Sequence, residues 1–175
     1  GQETIPWKPV EETYLKYRII SLLLGFVVTV AVIVGMAVII GWLVPQVIGW
    51  DTSRFVEFLT RPLVVWLFVA AIVIELVIDL IVTIRRCKSL KYAEREEDFL
   101  LRYGVLFHRM WAVPYGRIQS AEVRSGPLER AFGLARLQLR TAGVYGNITL
   151  PGLSTAKADE LREDLVARGQ ARLAG

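Results

Sequence analysis

The residues that could carry out chemistry in this chain are few, and their spacing points away from catalysis. The 175 residues include one histidine, His108, and one cysteine, Cys87, so the chain alone does not supply the cluster of His and Cys ligands of a zinc site. Ser120 has no histidine near it in the sequence, and segment 143–146 lacks the Lys-Ser/Thr of a phosphate-binding loop. We therefore expect no enzyme, and no catalytic, cofactor-binding or metal-binding residues.

Two carboxylates stand out because they lie inside an apolar stretch. Glu75 and Asp79 are four residues apart and would share one face of a helix. Glu75 would lie near the centre of the membrane, where an ionised carboxylate costs about 2.5–3.5 kcal/mol or more. Asp79 would lie nearer the cytoplasmic end, where it could reach water or Arg85. We interpret the pair as an intramembrane contact with another membrane protein or with a copy of this chain. The alternatives are a protonated Glu75 with Asp79 reaching the interface, and a site for a proton or cation.

Basic side chains are the second group that could bind a ligand. The chain from Arg85 onward has 16 Lys and Arg against 10 Asp and Glu, a net charge of +6. A basic segment beside a membrane suits anionic lipid, and a guanidinium can bind a phosphate through two hydrogen bonds. Because the cations are scattered, we expect no nucleic acid partner; a solvated surface is the other interpretation. The candidate contacts to anionic lipid headgroups or to a partner protein are Arg85, Arg86, Lys88, Lys91, Arg117 and Arg130.

Two apolar stretches would position the carboxylates. Residues 19–44 contain no charge, and residues 63–84 contain only that acidic pair. Each stretch is longer than the ~20 residues that a helix needs to cross a bilayer. We therefore predict a transmembrane hairpin over residues 19–86, with an outer loop at 45–62. The first stretch is too long for the apolar core of a typical signal peptide.

The positive charges predict how the hairpin is oriented. Lys8, Lys16 and Arg18 precede the first stretch, and four cations follow the second. Because cytoplasmic flanks are enriched in Lys and Arg, we predict a multi-pass protein of the bacterial inner (plasma) membrane with both termini in the cytoplasm. Residues 1–18 would form a cytoplasmic interfacial segment, with Pro9 in the first turn of the first helix.

The C-terminal part, residues 87–175, changes to short alternating runs and then to a helical pattern. Residues 135–141 alternate leucine with polar side chains, as in a half-buried strand, and residues 155–169 form an amphipathic helix. Ser154 would cap that helix and Gly169 would end it. The other predicted strands are 89–94, 98–103, 105–113, which includes the histidine, 117–123 and 144–150. This order predicts an α+β protein whose small sheet or open barrel is closed by a C-terminal helix.

The segment from Pro114 to Leu134 carries the most specific motif. Pro-x-x-Arg-Ile-Gln-Ser at 114–120 is followed by Gly-Pro-Leu-x-Arg-x-Phe-Gly-Leu at 126–134, in which Gly-Pro makes a turn. Together with the N-terminal hairpin, this motif resembles the bacterial pleckstrin-homology-like (PH-like) family of membrane-anchored proteins, the YdbS type. The resemblance covers residues 10–168 and implies a PH-like split β-barrel capped by a C-terminal helix. It implies no chemistry, because a fold does not fix a function.

These features lead to two hypotheses about function. The first is a non-catalytic accessory or scaffold subunit of a bacterial inner-membrane complex, which docks through the hairpin and a cytoplasmic PH-like module. The second is a membrane-anchored lipid- or peptide-binding module, which could form a homo-oligomer. The expected partners are the lipid bilayer, other integral membrane proteins or copies of the chain, and anionic lipid headgroups.

Overall fold

The computed structural model describes residues 5–174, so the outermost ends of the predicted segments, at residues 1–4 and 175, lie outside the described residues. The chain divides into two compact units. One unit runs from Ile20 to Ile81, and the other combines the described residues before Ile20 with those from Val82 onward.

Three helices account for the first unit and for its connections to the second. Helix α1 spans Thr13–Val47, α2 spans Ser53–Leu59 and α3 spans Pro62–Ser89. Helices α1 and α3 are long and apolar enough to cross a membrane, as judged by length and composition. The short α2 begins where the Asp51 carboxylate accepts a hydrogen bond of 2.9 Å from the Ser53 backbone N–H. That bond satisfies one of the amides left free at a helix start.

The prediction that Pro9 begins the first helix is wrong. Pro9 lies in a two-residue strand, β1 (Lys8–Pro9), which pairs with Lys91 and Tyr92, and the helix begins only at Thr13. Strand β1 is at the edge of its sheet, where a residue without an N–H group is tolerated.

Two antiparallel sheets and one helix form the second unit. The first sheet has the order β1-β2-β3-β4 and the second the order β5-β6-β7. The strands are β2 (Lys91–Glu94), β3 (Asp98–Tyr103), β4 (Arg109–Pro114), β5 (Ile118–Arg124), β6 (Leu134–Thr141) and β7 (Asn147–Ser154). A 3-10 turn (Tyr115–Arg117) precedes β5, α4 (Pro127–Ala131) joins β5 to β6, and α5 (Thr155–Ala174) follows β7. This arrangement confirms the predicted α+β fold, and we call these strands with α4 and α5 the PH-like module.

Several strand boundaries differ from the prediction. Strand β2 begins at Lys91 because Ser89 still belongs to α3, and β7 continues to Ser154 instead of ending at residue 150.

Two further strands begin late because glycines bend the chain. The predicted strand 105–113 begins only at Arg109, after a loop in which Gly104 has φ +152° and donates its N–H to the Ser89 hydroxyl at 3.1 Å. His108 is thus a loop residue, and not a strand residue. Likewise Val144 belongs to a 3-10 turn, since Gly146 has φ +62° and strand β7 starts after it.

The core lies between the two sheets and α5. Its fully buried members come from every layer, among them Phe99 of β3, Leu137 and Leu139 of β6, and Leu165 of α5. Burying one such side chain contributes about 1.5–3 kcal/mol relative to leaving it in water. The alternation in β6 therefore directs its leucines inward, as the sequence predicts.

The N-terminal end of α5 agrees with the prediction, and its C-terminal end does not. The Ser154 hydroxyl accepts a hydrogen bond of 3.2 Å from the Lys157 N–H, which confirms the N-cap. Gly169 does not end the helix, which continues to Ala174. A Cβ at Gly169 would lie 2.9 Å from the carbonyl oxygen of Tyr115, so the glycine permits close packing of α5 on the 3-10 turn.

The motif segment forms the tight structure that its residues predict. Pro127 occupies the start of α4, and the buried Glu129 carboxylate accepts a hydrogen bond of 3.1 Å from the Gly126 N–H. Gly133 has φ +69° and ends the helical turn before β6. The Arg136 guanidinium lies 3.6 Å from the same carboxylate, so Glu129 ties the start of α4 to β6.

Candidate functional site

The two predicted intramembrane carboxylates lie on an exposed face of α3. Glu75 and Asp79 are both exposed, and neither forms a hydrogen bond or ion pair with any residue in the described range 5–174. Their neighbours on the helix are exposed apolar side chains such as Ile74 and Ile78. The pair is therefore the polar part of an otherwise apolar surface.

The six predicted cationic contacts do not form one cluster. Arg85, Arg86 and Lys88 lie in the last turns of α3 and are exposed, as are Arg117 and Arg130 farther along the chain. Lys91 is half-buried in β2. Within the described part of the chain, none of the six side chains forms a hydrogen bond or an ion pair.

One of these cations, Arg86, lines a cavity of about 490 Å³ in the second unit. The start of α1 contributes Tyr14 and Arg18 to its wall, and the end of α3 contributes Cys87 beside Arg86. The sheets complete the wall with residues of β3, β4 and β7. Strand β7 is an edge strand, so the cavity occupies an opening at the side of the barrel where the two helix ends pack.

The cavity wall is positively charged. Arg18 and Arg86 both line it, and neither guanidinium forms a hydrogen bond or ion pair with a described residue. No Asp or Glu of the described chain lines it. Polar groups on the wall include the hydroxyl of Tyr103, which accepts a hydrogen bond of 3.2 Å from the Trp111 indole N–H. The arrangement favours a negatively charged ligand.

Tyr14 holds the start of α1 against the barrel. Its ring is buried, lies over Gly152 and stacks on Tyr17, with ring centroids 6.0 Å apart. A Cβ on Gly152 would lie 2.6 Å from the Tyr14 ring, and the glycine has φ +79°. The Glu11 N–H also donates to the Gly152 carbonyl oxygen at 2.8 Å. These contacts place Arg18, one helical turn beyond Tyr14, at the cavity.

The sequence interpretation missed Arg18 as a site residue. Its position before the first apolar stretch indicates only a charge that orients the hairpin, whereas the structure brings it to the same cavity as Arg86. Arg117 and Arg130 do not line this cavity. No periodicity or motif links Arg18 to Arg86, because the two come together only through the folding of both helix ends onto the barrel.

A second polar cluster joins α5 to the 3-10 turn and to the segment between β2 and β3. The Tyr115 hydroxyl donates to the Arg95 carbonyl oxygen, and the Arg168 guanidinium donates to both of those oxygens, at 2.8 and 3.1 Å. Burial raises the pKa of Tyr115, and the neighbouring Arg168 opposes the rise. Burial, and then the adjacent Asp164, raise the pKa of Glu94. This cluster fixes α5 to the turn between β2 and β3.

The comparisons with known proteins identify one family. The model of the family described as "Bacterial PH domain" matches residues 58–168, which include α3 and most of the PH-like module. No curated protein and no solved structure matches the chain. Among the described residues, no group of three or more His, Cys, Asp or Glu side chains is placed to hold a metal ion.

Proposed function

The chain belongs to the bacterial PH domain family, and on this premise we propose that it is a non-catalytic accessory or scaffold subunit of a bacterial inner-membrane complex. In this proposal α1 and α3 cross the membrane and both termini lie in the cytoplasm. The hairpin docks against another integral membrane protein, and the PH-like module braces that protein from the cytoplasmic side.

The exposed pair Glu75 and Asp79 is the observation that carries this proposal. Both carboxylates lie on the apolar helix α3, and no described residue pairs with either of them. A carboxylate in the hydrocarbon region is unfavourable by about 2.5–3.5 kcal/mol unless it is paired or reaches water. A partner helix that supplies a cation or a hydroxyl group would remove that penalty, so this face of α3 is the expected docking surface.

The rest of the hairpin supports the same view. Gly25, Gly35 and Gly41 of α1 have open space where a Cβ would be, so no described side chain packs closely on them. Close approach of helices at small residues is a common way for membrane helices to associate. The hairpin therefore offers both a polar and a closely approachable apolar surface to other helices.

Site-specific photocrosslinking in native membranes tests the proposal. A benzophenone amino acid replaces Ile72, which shares the helix face of Glu75 and Asp79, in one variant, and Val77, on the opposite side of the same helix, in a control variant. We expect a discrete adduct with one membrane protein at position 72 and little at position 77. The double substitution Glu75→Leu/Asp79→Leu should weaken co-purification of that protein in mild detergent, whereas Glu57→Leu in α2 should leave it unchanged. Equal crosslinking at positions 72 and 77 would contradict a docking face at Glu75 and Asp79.

A second candidate function is favoured by the unpaired cations. The protein would be a membrane-anchored module that binds lipid or peptide, with Arg85, Lys88 and Lys91 among the contacts to anionic headgroups. Mass spectrometry of lipids that co-purify with the chain tests it, since enrichment of phosphatidylglycerol over phosphatidylcholine is expected. A homo-oligomer would be recognised by a position-72 adduct of about twice the chain mass of 19.7 kDa.

A further inference from the structure

We propose that the cavity lined by Arg18 and Arg86 is a binding site for a phosphate group, carried by an anionic phospholipid or by a free phosphate compound. The site is separate from the docking surface proposed for the hairpin, because none of its lining residues lies between Ile20 and Ile81. Of the six cationic contacts predicted from the sequence, the site includes only Arg86, and it adds Arg18.

The charge of the cavity is the first argument. Two guanidinium groups face the same space, and no carboxylate of the described chain lines it. Like charges close together in a partly enclosed cavity repel each other more strongly than they would in water. A bound anion would relieve that repulsion, and phosphate suits guanidinium groups because each can donate two parallel hydrogen bonds to it.

The other polar groups of the wall suit the same ligand. The Tyr103 hydroxyl accepts a hydrogen bond from the Trp111 indole, so its own proton remains free to be donated to an anion. Asn147 and Thr149, both exposed on the edge strand β7, add an amide and a hydroxyl group. Because a phosphate presents several acceptor oxygens, this ring of donors can satisfy a whole phosphate group.

The size and the margins of the cavity favour a phospholipid as the source. Its volume of about 490 Å³ lies within the range of about 300–1,000 Å³ typical of small-molecule sites. The loops that follow Tyr103 and precede Tyr145 carry Leu106, Phe107 and Val144, which are 82, 82 and 93% exposed. Exposed apolar side chains close in sequence to residues of the cavity wall suit a ligand with a charged head and apolar tails.

Native mass spectrometry of the full chain in detergent micelles tests the site. The chain is titrated with phosphatidylglycerol, with phosphatidylcholine, and with phosphatidylglycerol in the presence of inorganic phosphate.

The test variant is Arg18→Gln/Arg86→Gln. The matched control is Lys16→Gln/Arg109→Gln, which also removes two positive charges, at exposed residues that neither line the cavity nor belong to the predicted lipid contacts. We expect an affinity for phosphatidylglycerol about tenfold lower in the test variant, because charge-assisted hydrogen bonds are lost. The control should change it by less than about threefold.

The arms of the titration separate the two sources. A tenfold loss in the test variant without competition by inorganic phosphate assigns the site to a lipid headgroup. Competition by inorganic phosphate that disappears in the test variant assigns it to a free phosphate compound. An equal loss in both variants would overturn the cavity proposal, since it would assign binding to diffuse surface charge, as would unchanged binding in the test variant. None of these results depends on whether position 72 crosslinks to a membrane protein.

A second variant keeps the proposal testable if loss of both arginines prevents folding. Thr149→Asp places a carboxylate on the exposed wall of the cavity and leaves the arginines in place. It should lower the affinity for phosphatidylglycerol about tenfold through repulsion of the anion. Thr155→Asp, at the exposed first residue of α5, is the matched control and should leave the affinity unchanged. The same affinity in both variants would overturn the proposal.

Discussion

The two units of this protein satisfy their side chains in opposite ways. In the PH-like module the large apolar residues face one another, and Phe99 of β3 is 0% exposed. In helices α1 and α3 most large apolar residues are exposed, and Phe68 of α3 is 57% exposed. The module thus carries its own core, whereas the helices need a surrounding medium, either lipid or another protein, to cover their surface. The comparison shows which substitutions should act on folding and which on association.

The largest expected effect comes from removing a core aromatic. Phe99→Ala should lower the free energy of unfolding of the module by about 3–5 kcal/mol, because it leaves a cavity between the two sheets. Phe68→Ala, which removes the same ring from an exposed site, should change that free energy by less than about 0.5 kcal/mol. Hydrogen exchange of β3 and β6 in the full chain measures both values. A similar loss in the two variants would show that the module depends on α3 for its core.

Glycine substitutions sharpen the same contrast. Gly152→Ala should destabilise the module by about 2–3 kcal/mol, since φ is +79° and the new Cβ would collide with the Tyr14 ring. Gly35→Ala lies in open space inside α1 and should favour the helix by about 0.5–1 kcal/mol. Exchange rates of the amides in β7 and in α1 would report the two changes separately. Unchanged exchange in Gly152→Ala would mean that Tyr14 does not hold the start of α1 against the barrel.

The sequence predicts the local structure of the module better than it predicts how distant segments pack together. The alternation in β6 and the Gly-Pro turn with Gly133 act within a few residues, and the structure confirms both. The sequence does not predict the loop after Gly104, because Val105, Leu106 and Phe107 have the composition of a strand although the last two are exposed. Turn geometry at the glycine overrides that propensity.

The candidate cavity was outside the reach of sequence reasoning for a different reason. Arg18 and Arg86 belong to the two ends of the hairpin. The sequence presents Arg18 only as a charge that orients the hairpin and Arg86 as one of six candidate contacts, with nothing that links the two. Their common position depends on Tyr14, Gly152 and the edge strand β7, which are distant in the sequence. Only tertiary packing brings them together. The acidic pair on α3, by contrast, could be found from spacing alone because four residues make one helical turn.

Substitutions at the residue before a helix should have a smaller effect on stability, and that effect should differ between α5 of the module and α2 of the other unit. Ser154→Ala should lower the free energy of unfolding of the module by about 1 kcal/mol, since the Lys157 N–H loses its acceptor at the start of α5. Thr52 stands at the corresponding position of α2, but its side chain makes no capping hydrogen bond. Thr52→Ala should therefore leave α2 unaffected, as measured by hydrogen exchange of its first turn. Equal protection losses in α5 and α2 would contradict the assigned cap.

The smallest expected effect is a change with pH in the stability of the PH-like module. The pKa of Glu94 lies above its ordinary value of 4.5, because burial disfavours the charged carboxylate and Asp164 lies beside it, while Arg168 and Lys8 oppose the rise. The folded state therefore binds this proton more tightly than the unfolded chain does. Its contribution to stability is present in full below pH 4.5 and is lost as the pH rises through the raised value.

Glu94→Gln isolates this contribution, because the amide cannot titrate. On going from neutral pH to about pH 5, the wild-type chain should gain stability relative to the variant, as measured by hydrogen exchange of β2 and β3 at each pH. Asp164→Asn should reduce that gain, since one of the two causes that raise the pKa of Glu94 is then removed. If the difference in stability between the wild type and Glu94→Gln does not change with pH, folding does not raise the pKa of Glu94, and its carboxyl group is as hydrated beside α5 as in the unfolded chain.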